Sequence, residues 1–344
     1  MDLTIRPVDP WDEHEMDVLQ DLYVEAQRAE VPDSRIFSRA ESVVALRPPE
    51  GGYFYDAFAA FDASLGEPTP DHMVGQVWTM GSTTDNLNRA QLFAWVPPRF
   101  GRRGIGAALV RHGEEHLRRA RGRRTVVAQT WLGADGRSGY RRFPERLGYT
   151  LNNVEVERRQ RLPVDEAILA RLEAEAAAHA SAYTLRTVVG PVSAELAQPF
   201  CDIYNLLHVE MPQGELEVEV GRRTPVELAI QDEELRVAGR ERVSVYAFDA
   251  AGSVVAYTVA ATGPADSEET GVDQWSTLVH PDHRGHRLGL AVKCALTRVL
   301  GERFPDRTFV RTQNAEVNAP MVRVNELLGF EVHLVEGEYQ KTLT

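Results

Sequence analysis

Apolar and polar positions alternate along residues 3–8, and from 13 to 29 the apolar ones recur at helical spacing. That predicts a short strand followed by a helix. Two strand patterns come next, YFYDAFAAF (53–61) and HMVGQVWTM (72–80), parted by the polar turn DASLGEPTPD. A third, RAQLFAWV (89–96), ends at Pro97-Pro98. Beyond that break Ile105, Ala108, Leu109, His112 and Leu117 share one side of a helix, and TVVAQTW (125–131) reads as another strand. Pro163 then introduces an alanine-rich helix over 164–180, which predicts a connector laid on a domain surface.

The same order returns in the second half. YTLRTVV (183–189) is a strand pattern and AELAQPFCDIYNLLHV (194–209) a helix. TPVELAIQDEELRVA (224–238) is a second helix, with Thr224 placed to cap it and Pro225 at its first position. RVSVYAFD and SVVAYTVAAT flank Ala251-Gly252 as a hairpin. DQWSTLV (273–279) leads into a glycine-bearing loop and a helix; TFVRTQ is a strand, NAPMVRVNELL a helix and FEVHLVEGEY a last strand. An order repeated over so long a period predicts internal duplication of a mixed α/β unit. The boundaries it suggests are a first domain over 1–162, a linker helix over 163–181 and a second domain over 182–344.

Composition narrows the partners. At 344 residues the chain exceeds one small core and suits two domains. Its formal net charge of -13 disfavours nucleic acid and anionic membrane surfaces, and it is compatible with a cationic substrate. Lys293 and Lys341 are the only lysines among 38 basic residues, so arginine is not by itself a phosphate signal here. Cys201 and Cys294, in apolar helical patterns, read as reduced core residues. With no signal-like start and no apolar run long enough to cross a bilayer, the expectation is a soluble cytoplasmic protein.

The loop of the second half is VHPDHRGHRLG, followed by Leu288, Ala291, Val292, Ala295, Leu296 and Val299 at helical spacing. A helix start after such a turn exposes N–H groups at the positive end of the dipole, and Gly285 and Gly289 let a diphosphate approach the backbone. An arginine-rich turn with a satisfied helix start is the other reading of this stretch. Further on, RTQNAEVNAPMVRVNELLGF sets Asn314 and Asn318 about a helix start and ends in Leu328-Gly329-Phe330. In this combination and order the chain resembles the GCN5-related N-acetyltransferase (GNAT) superfamily. Arg284, Arg287 and Gly289 stand at the key positions of the family's loop, after Val279 and Pro281. Asn318 and Leu328-Gly329-Phe330 match its later pattern. The likeness covers 183–344 well. It reaches the first half more faintly, through Val96, Pro98, Gly104, Gly106 and Leu147-Gly148-Tyr149. It implies an α/β chain of two GNAT-like domains, each a mixed central sheet flanked by helices.

The resemblance also implies chemistry: acetyl-CoA as cosubstrate, and direct acyl transfer to a primary amine of a small molecule. Leu278 and Val279 would lie along the pantetheine arm, with Asn314 and Asn318 near it; Asn318 reads equally as a helix N-cap. The diphosphate would rest on Arg284, Gly285, His286, Arg287, Leu288 and Gly289. Asp273, six residues before Val279, is the expected base, and strand alternation places it on one face with Trp275 and Thr277; a solvated carboxylate is the alternative. Glu210, with His208, follows the first helix of this half, on the acceptor side of the fold. Where many members carry a tyrosine acid, this chain has Asn325, which cannot supply a proton. Tyr339 offers a phenol near the end of the last strand, a core role being its alternative. Arg287 is expected to have right-handed helical φ/ψ, with its guanidinium clear of the diphosphate cradle.

The first half departs further. Gly101 replaces the usual Arg or Gln, Ala90 stands where Asp273 does, Arg137 falls near the place of Asn318, and Pro144 falls where the tyrosine would be. It is expected to be a degenerate copy, structural or acceptor-shaping. His280, His283 and His286 crowd one turn and read as solvated, so no metal is expected. No nucleic-acid or membrane partner is expected, and a homo-oligomer is compatible with the reading. The missing tyrosine supports an alternative: a non-catalytic acyl-CoA-binding regulatory or interaction protein.

Overall fold

The computed structural model describes residues 2–47, 52–133, 139–206, 222–263, 270–315 and 318–344. It divides into two compact units. Among the described residues, unit 1 holds 2–153 and 336–344, and unit 2 holds 154–206 and 222–335.

Unit 1 runs through β1 (Leu3–Pro7), α1 (Glu13–Glu30), α2 (Arg39–Leu46), β2 (Tyr53–Asp62), β3 (Met73–Ser82), β4 (Arg89–Trp95), α3 (Ile105–Arg119), β5 (Thr125–Trp131) and α4 (Arg142–Arg146). The strands pair in chain order, antiparallel except for the parallel pair β4–β5. Helix α1 starts where Asp12 accepts from the Glu15 N–H. It buries Met16, Leu19 and Leu22 against Ala59, Phe61 and Met73. Helix α2 is additional to the sequence reading, although Ser38 and Glu41 form a capping box that marks its start.

Unit 2 contains β6 (Thr150–Arg161), α5 (Glu166–His179), β7 (Thr184–Val189), α6 (Ala194–Tyr204), α7 (Pro225–Val237), β8 (Arg242–Phe248), β9 (Val254–Thr262), β10 (Gly271–Val279), α8 (Leu288–Arg303), β11 (Phe309–Ala315) and α9 (Ala319–Leu327). Its sheet order is β7-β8-β9-β10-β11-β6, with only β10–β11 parallel. One face packs α5 and α8 through Leu169, Leu172, Val292 and Leu296. The other packs α6 and α7 through Phe200 and Leu228, against Tyr246 and Tyr257. Thr224 caps α7 with Pro225 in the first turn, as the sequence predicts, and Glu227 completes a capping box with it.

Two boundaries differ from those drawn on the sequence. The strand that closes each half belongs largely to the other unit. Glu155 to Arg161 of β6 pair with β11, whereas Glu336 to Thr342 of the last strand, β12 (Glu331–Thr342), pair with β5. Nor is α5 a free linker. Leu169, Leu172, Ala176 and Ala180 make a narrow buried stripe in the unit 2 core, and Arg298 of α8 binds Glu166 and Glu173. An alanine-rich stripe looks weakly apolar in sequence, yet small side chains let two helices approach closely.

Candidate functional site

Strands β10 and β11 run as a pair only from Gly271 to Asp273, opposite Phe309 to Arg311. Past that point β10 keeps β9 on one edge as far as Val279, while the pairing with β11 has ended. An open strand edge leaves N–H and C=O groups for an extended ligand. The register shifts between Gln274 and Ser276, which makes Trp275 the additional residue of a bulge. Trp275 stays near Arg240 and Arg242 on the face of Asp273, while Gln274 and Thr277 share the opposite face through Thr258. The alternation that would group Thr277 with Asp273 therefore breaks at the bulge.

The loop after β10 turns through Pro281–His283 and reaches α8 by two left-handed residues, Gly285 (φ 85) and Arg287 (φ 53, ψ 24). In unit 1 the corresponding positions are Arg102 (φ 63) and Gly104 (φ 83, ψ -1). The residue before them is extended in both, Arg284 at φ -70, ψ 162 and Gly101 at φ -60, ψ 160. The two units thus repeat one loop backbone, with glycine and arginine interchanged at its two left-handed positions. This corrects the right-handed geometry expected for Arg287. Helix α8 begins one residue later, at Leu288, so Arg287 is the cap, and a side chain there costs about 1 kcal/mol. Its guanidinium is paired with Glu175 of α5.

Among the described residues, no backbone carbonyl takes the N–H groups from Gly285 to Leu290; the first one taken is that of Ala291, by Arg287. Such a row at the start of a helix suits an anion. A Cβ added to Gly289 would come no nearer to a neighbour than 3.7 Å, from Val279, whereas at Gly106 in unit 1 it would meet the Phe143 ring at 3.3 Å. Unit 2 has the roomier approach.

Solved structures share the fold. A tandem GNAT protein from the clavulanic acid biosynthesis pathway is similar at 22% identity with a TM-score of 0.78, over 99% of this chain and 98% of its own. This is the tandem GNAT fold. A GCN5-related N-acetyltransferase from Sphaerobacter thermophilus is similar at 16% identity and TM-score 0.66, over 99% of this chain and 95% of its own. The glucosamine N-acetyltransferase region of a fungal multi-domain GH3 β-N-acetylglucosaminidase matches at 15% identity and TM-score 0.66, over 99% of this chain and 38% of its own. No protein-family model and no curated protein sequence matches.

Within this fold the residues expected to be catalytic are placed as follows. Asp273 is buried, and its carboxylate bridges the guanidiniums of Arg240 and Arg311. Both oxygens are committed to permanent cations, the opposite of what a base requires. Tyr339 pairs with Ala128 of β5 in unit 1 and is fully buried, so its hydroxyl is not presented to a ligand; the core alternative describes it. Glu210 and His208 lie outside the described residues, as does Arg137. Asn318 occupies the N-cap position of α9 while its side chain makes no capping hydrogen bond.

Leu278 packs on the α6 and α7 side and Val279 toward α8, consistent with the bulge. His283 faces the Tyr183 hydroxyl at 3.1 Å, and the His286 ring lies 5.5 Å from that of Tyr183. Among the described residues no three His, Cys, Asp or Glu side chains gather as a metal site.

Two titratable groups, one buried and one half-buried, were not singled out for a role by the sequence reading. Lys293 of α8 is 2% exposed, and burial alone pushes its pKa down to about 7. The signal was there: one of two lysines in the chain, set in an apolar helix. In unit 1, burial pushes Glu30, at the end of α1, up to about 7 against the opposing Trp131 N–H. Its Oε1 is buried with no hydrogen-bond partner.

Proposed function

We propose that the chain is an acyl-CoA-dependent N-acyltransferase, with acetyl-CoA held chiefly by unit 2 and the primary amine of a small molecule as acceptor. The observation that carries this is the row of N–H groups from Gly285 to Leu290 beside the open edge of β10, in a tandem GNAT fold. In this reading the loop amides hold the diphosphate, Gly289 admits it closely, and the edge at Leu278 and Val279 aligns the pantetheine arm. The neutral amine attacks the thioester carbonyl, a C–N bond forms, the C–S bond breaks, and the thiolate takes its proton from water, since Asn325 has none to give. With Asp273 committed to two arginines, the ammonium proton passes to water or to Glu210.

The fungal neighbour's description as a glucosamine N-acetyltransferase makes amino sugars a first acceptor class to try. Calorimetric titration of the intact protein with acetyl-CoA should give one site, and two would restore unit 1 as a second binder. Thiol release should then depend on the added amine. The engaged Asp273 and the amide at Asn325 favour a second reading, a non-catalytic acyl-CoA-binding module. Saturable binding without amine-dependent thiol release across a broad panel would establish it.

A further inference from the structure

Lysine Nζ only donates when charged, and when neutral it still has two N–H groups to give. Lys293 gives them to two side-chain amides, Gln274 Oε1 at 2.8 Å and Asn325 Oδ1 at 2.6 Å. Its underside faces the Phe330 ring at 5.2 Å, and among the described residues no carboxylate pairs with it. When charged, Nζ has no lone pair and turns both amide oxygens inward and their nitrogens outward; when neutral, its two N–H groups suffice to keep the same arrangement. Asn325 Nδ2 accordingly donates to Asn314 Oδ1 at 2.7 Å, and Gln274 Nε2 to Thr258 Oγ1 at 2.8 Å; Thr258 in turn meets Thr277 Oγ1 at 2.8 Å.

The chain of bonds thus links β10 to β11 just past their last main-chain pair, Asp273 with Arg311. Asn325 is fully buried and Gln274 nearly so, but Asn314 is half-buried, and its own Nδ2 makes no hydrogen bond among the described residues.

We propose that Lys293 is a positioning residue: it fixes the direction of this buried chain so that Asn314 presents an N–H donor at the gap between β10 and β11, where it steadies the acyl carbonyl as negative charge develops on its oxygen. The inference rests on the acyltransferase reading. It extends that reading by giving Asn314 a donor's part, and by giving a buried residue remote from the ligand control over it.

Two variants test it. Lys293→Met keeps the length of the side chain but removes the central donor, freeing Asn325 and Asn314 to flip. Asn314→Asp keeps the oxygen that accepts from Asn325 and replaces the outer donor by an acceptor. Each should lower kcat about 100-fold, the loss typical of one oxyanion donor, while the acetyl-CoA dissociation constant changes less than threefold. The double variant should lose no more than either single one, because the two residues act through one chain. Side-chain amide NMR supplies a readout independent of turnover: Asn314 and Asn325 should each give one N–H₂ pair in the parent and shifted or doubled pairs in Lys293→Met. Unchanged kcat in Asn314→Asp, multiplied losses in the double variant, or amide signals unmoved by Lys293→Met would each overturn the proposal. Failure of the parent to bind acetyl-CoA would instead sink the acyltransferase reading, and the amide signals would still decide the direction of the chain.

Discussion

Replacing Lys293 by methionine should change how stability depends on pH, and the direction follows from its burial. The unfolded chain holds this proton up to about pH 10.5, whereas the folded protein, which meets it with desolvation and no opposing charge, releases it near 7. Between those values the unfolded state binds more protons, so this one group makes stability rise with pH. The rise is about 1.4 kcal/mol per pH unit, and about 5 kcal/mol over the whole interval. Below pH 7 both states are protonated and the cost of burying the ammonium is borne in full. The methionine variant lacks this dependence, and every other titration is common to both proteins and cancels in the difference. Urea unfolding at pH 7, 8 and 9 should show the parent gaining on Lys293→Met by roughly 2 kcal/mol across that range. A difference that stays flat within about 0.5 kcal/mol would mean that Lys293 keeps its charge in the folded state, and the burial argument would be wrong.

Asp273→Asn leaves Arg240 and Arg311 facing each other without their carboxylate and should cost about 3–5 kcal/mol in urea unfolding. Turnover per folded molecule should stay within tenfold, and a variant of parental stability that loses a hundredfold would return Asp273 to the part of base. Glu30→Gln should be the more stable form above pH 7. The parent's buried carboxyl, pushed up to about 7, loses about 3 kcal/mol of stability as pH rises from 4.5 through 7, so thermal melts should diverge at pH 8 and converge toward pH 4.5. Residues 182–344 expressed alone should fail to give a cooperative melt, because the fragment lacks β6 beside β11 and the core leucines of α5; a sharp melt from it would show that neither element is required.

What the sequence made legible was local and periodic. Strand alternation, the proline breaks at Pro97-Pro98 and Pro163, and the Thr224-Pro225 start placed most elements, because each signal is decided by neighbours within one turn or one strand. Partners distant in the chain were not legible. Nothing in Asp273 announces that Arg240, thirty-three residues earlier, and Arg311, thirty-eight later, close on its two oxygens. The bulge at Trp275 was hidden for a related reason: one additional residue reverses every later side chain, yet it leaves no mark on a nine-residue strand of mixed polarity. Strand exchange defeated the domain boundaries in the same way, since β6 and β12 carry ordinary strand patterns and their partners are chosen only in three dimensions.

The interchange of Gly285 and Arg287 against Arg102 and Gly104 bears on which unit is the better candidate for binding in the proposed reading. If glycine were needed at one particular position for a ligand to approach, the two loops could not carry it at different positions and keep one backbone. What both loops supply is the shape and the row of amides behind it, so the difference between the units must lie around the loop. In unit 1 the Phe143 ring closes on Gly106, and Trp95 at the end of β4 is packed by Tyr23 and donates to Gln27. In unit 2 a Cβ at Gly289 would meet only Val279, at 3.7 Å, and the sheet carries the polar chain from Thr277 to Asn314. Buried polar groups are costly unless every member finds a partner. A core that bears that cost where its two strands part has its reason for polarity at the gap itself.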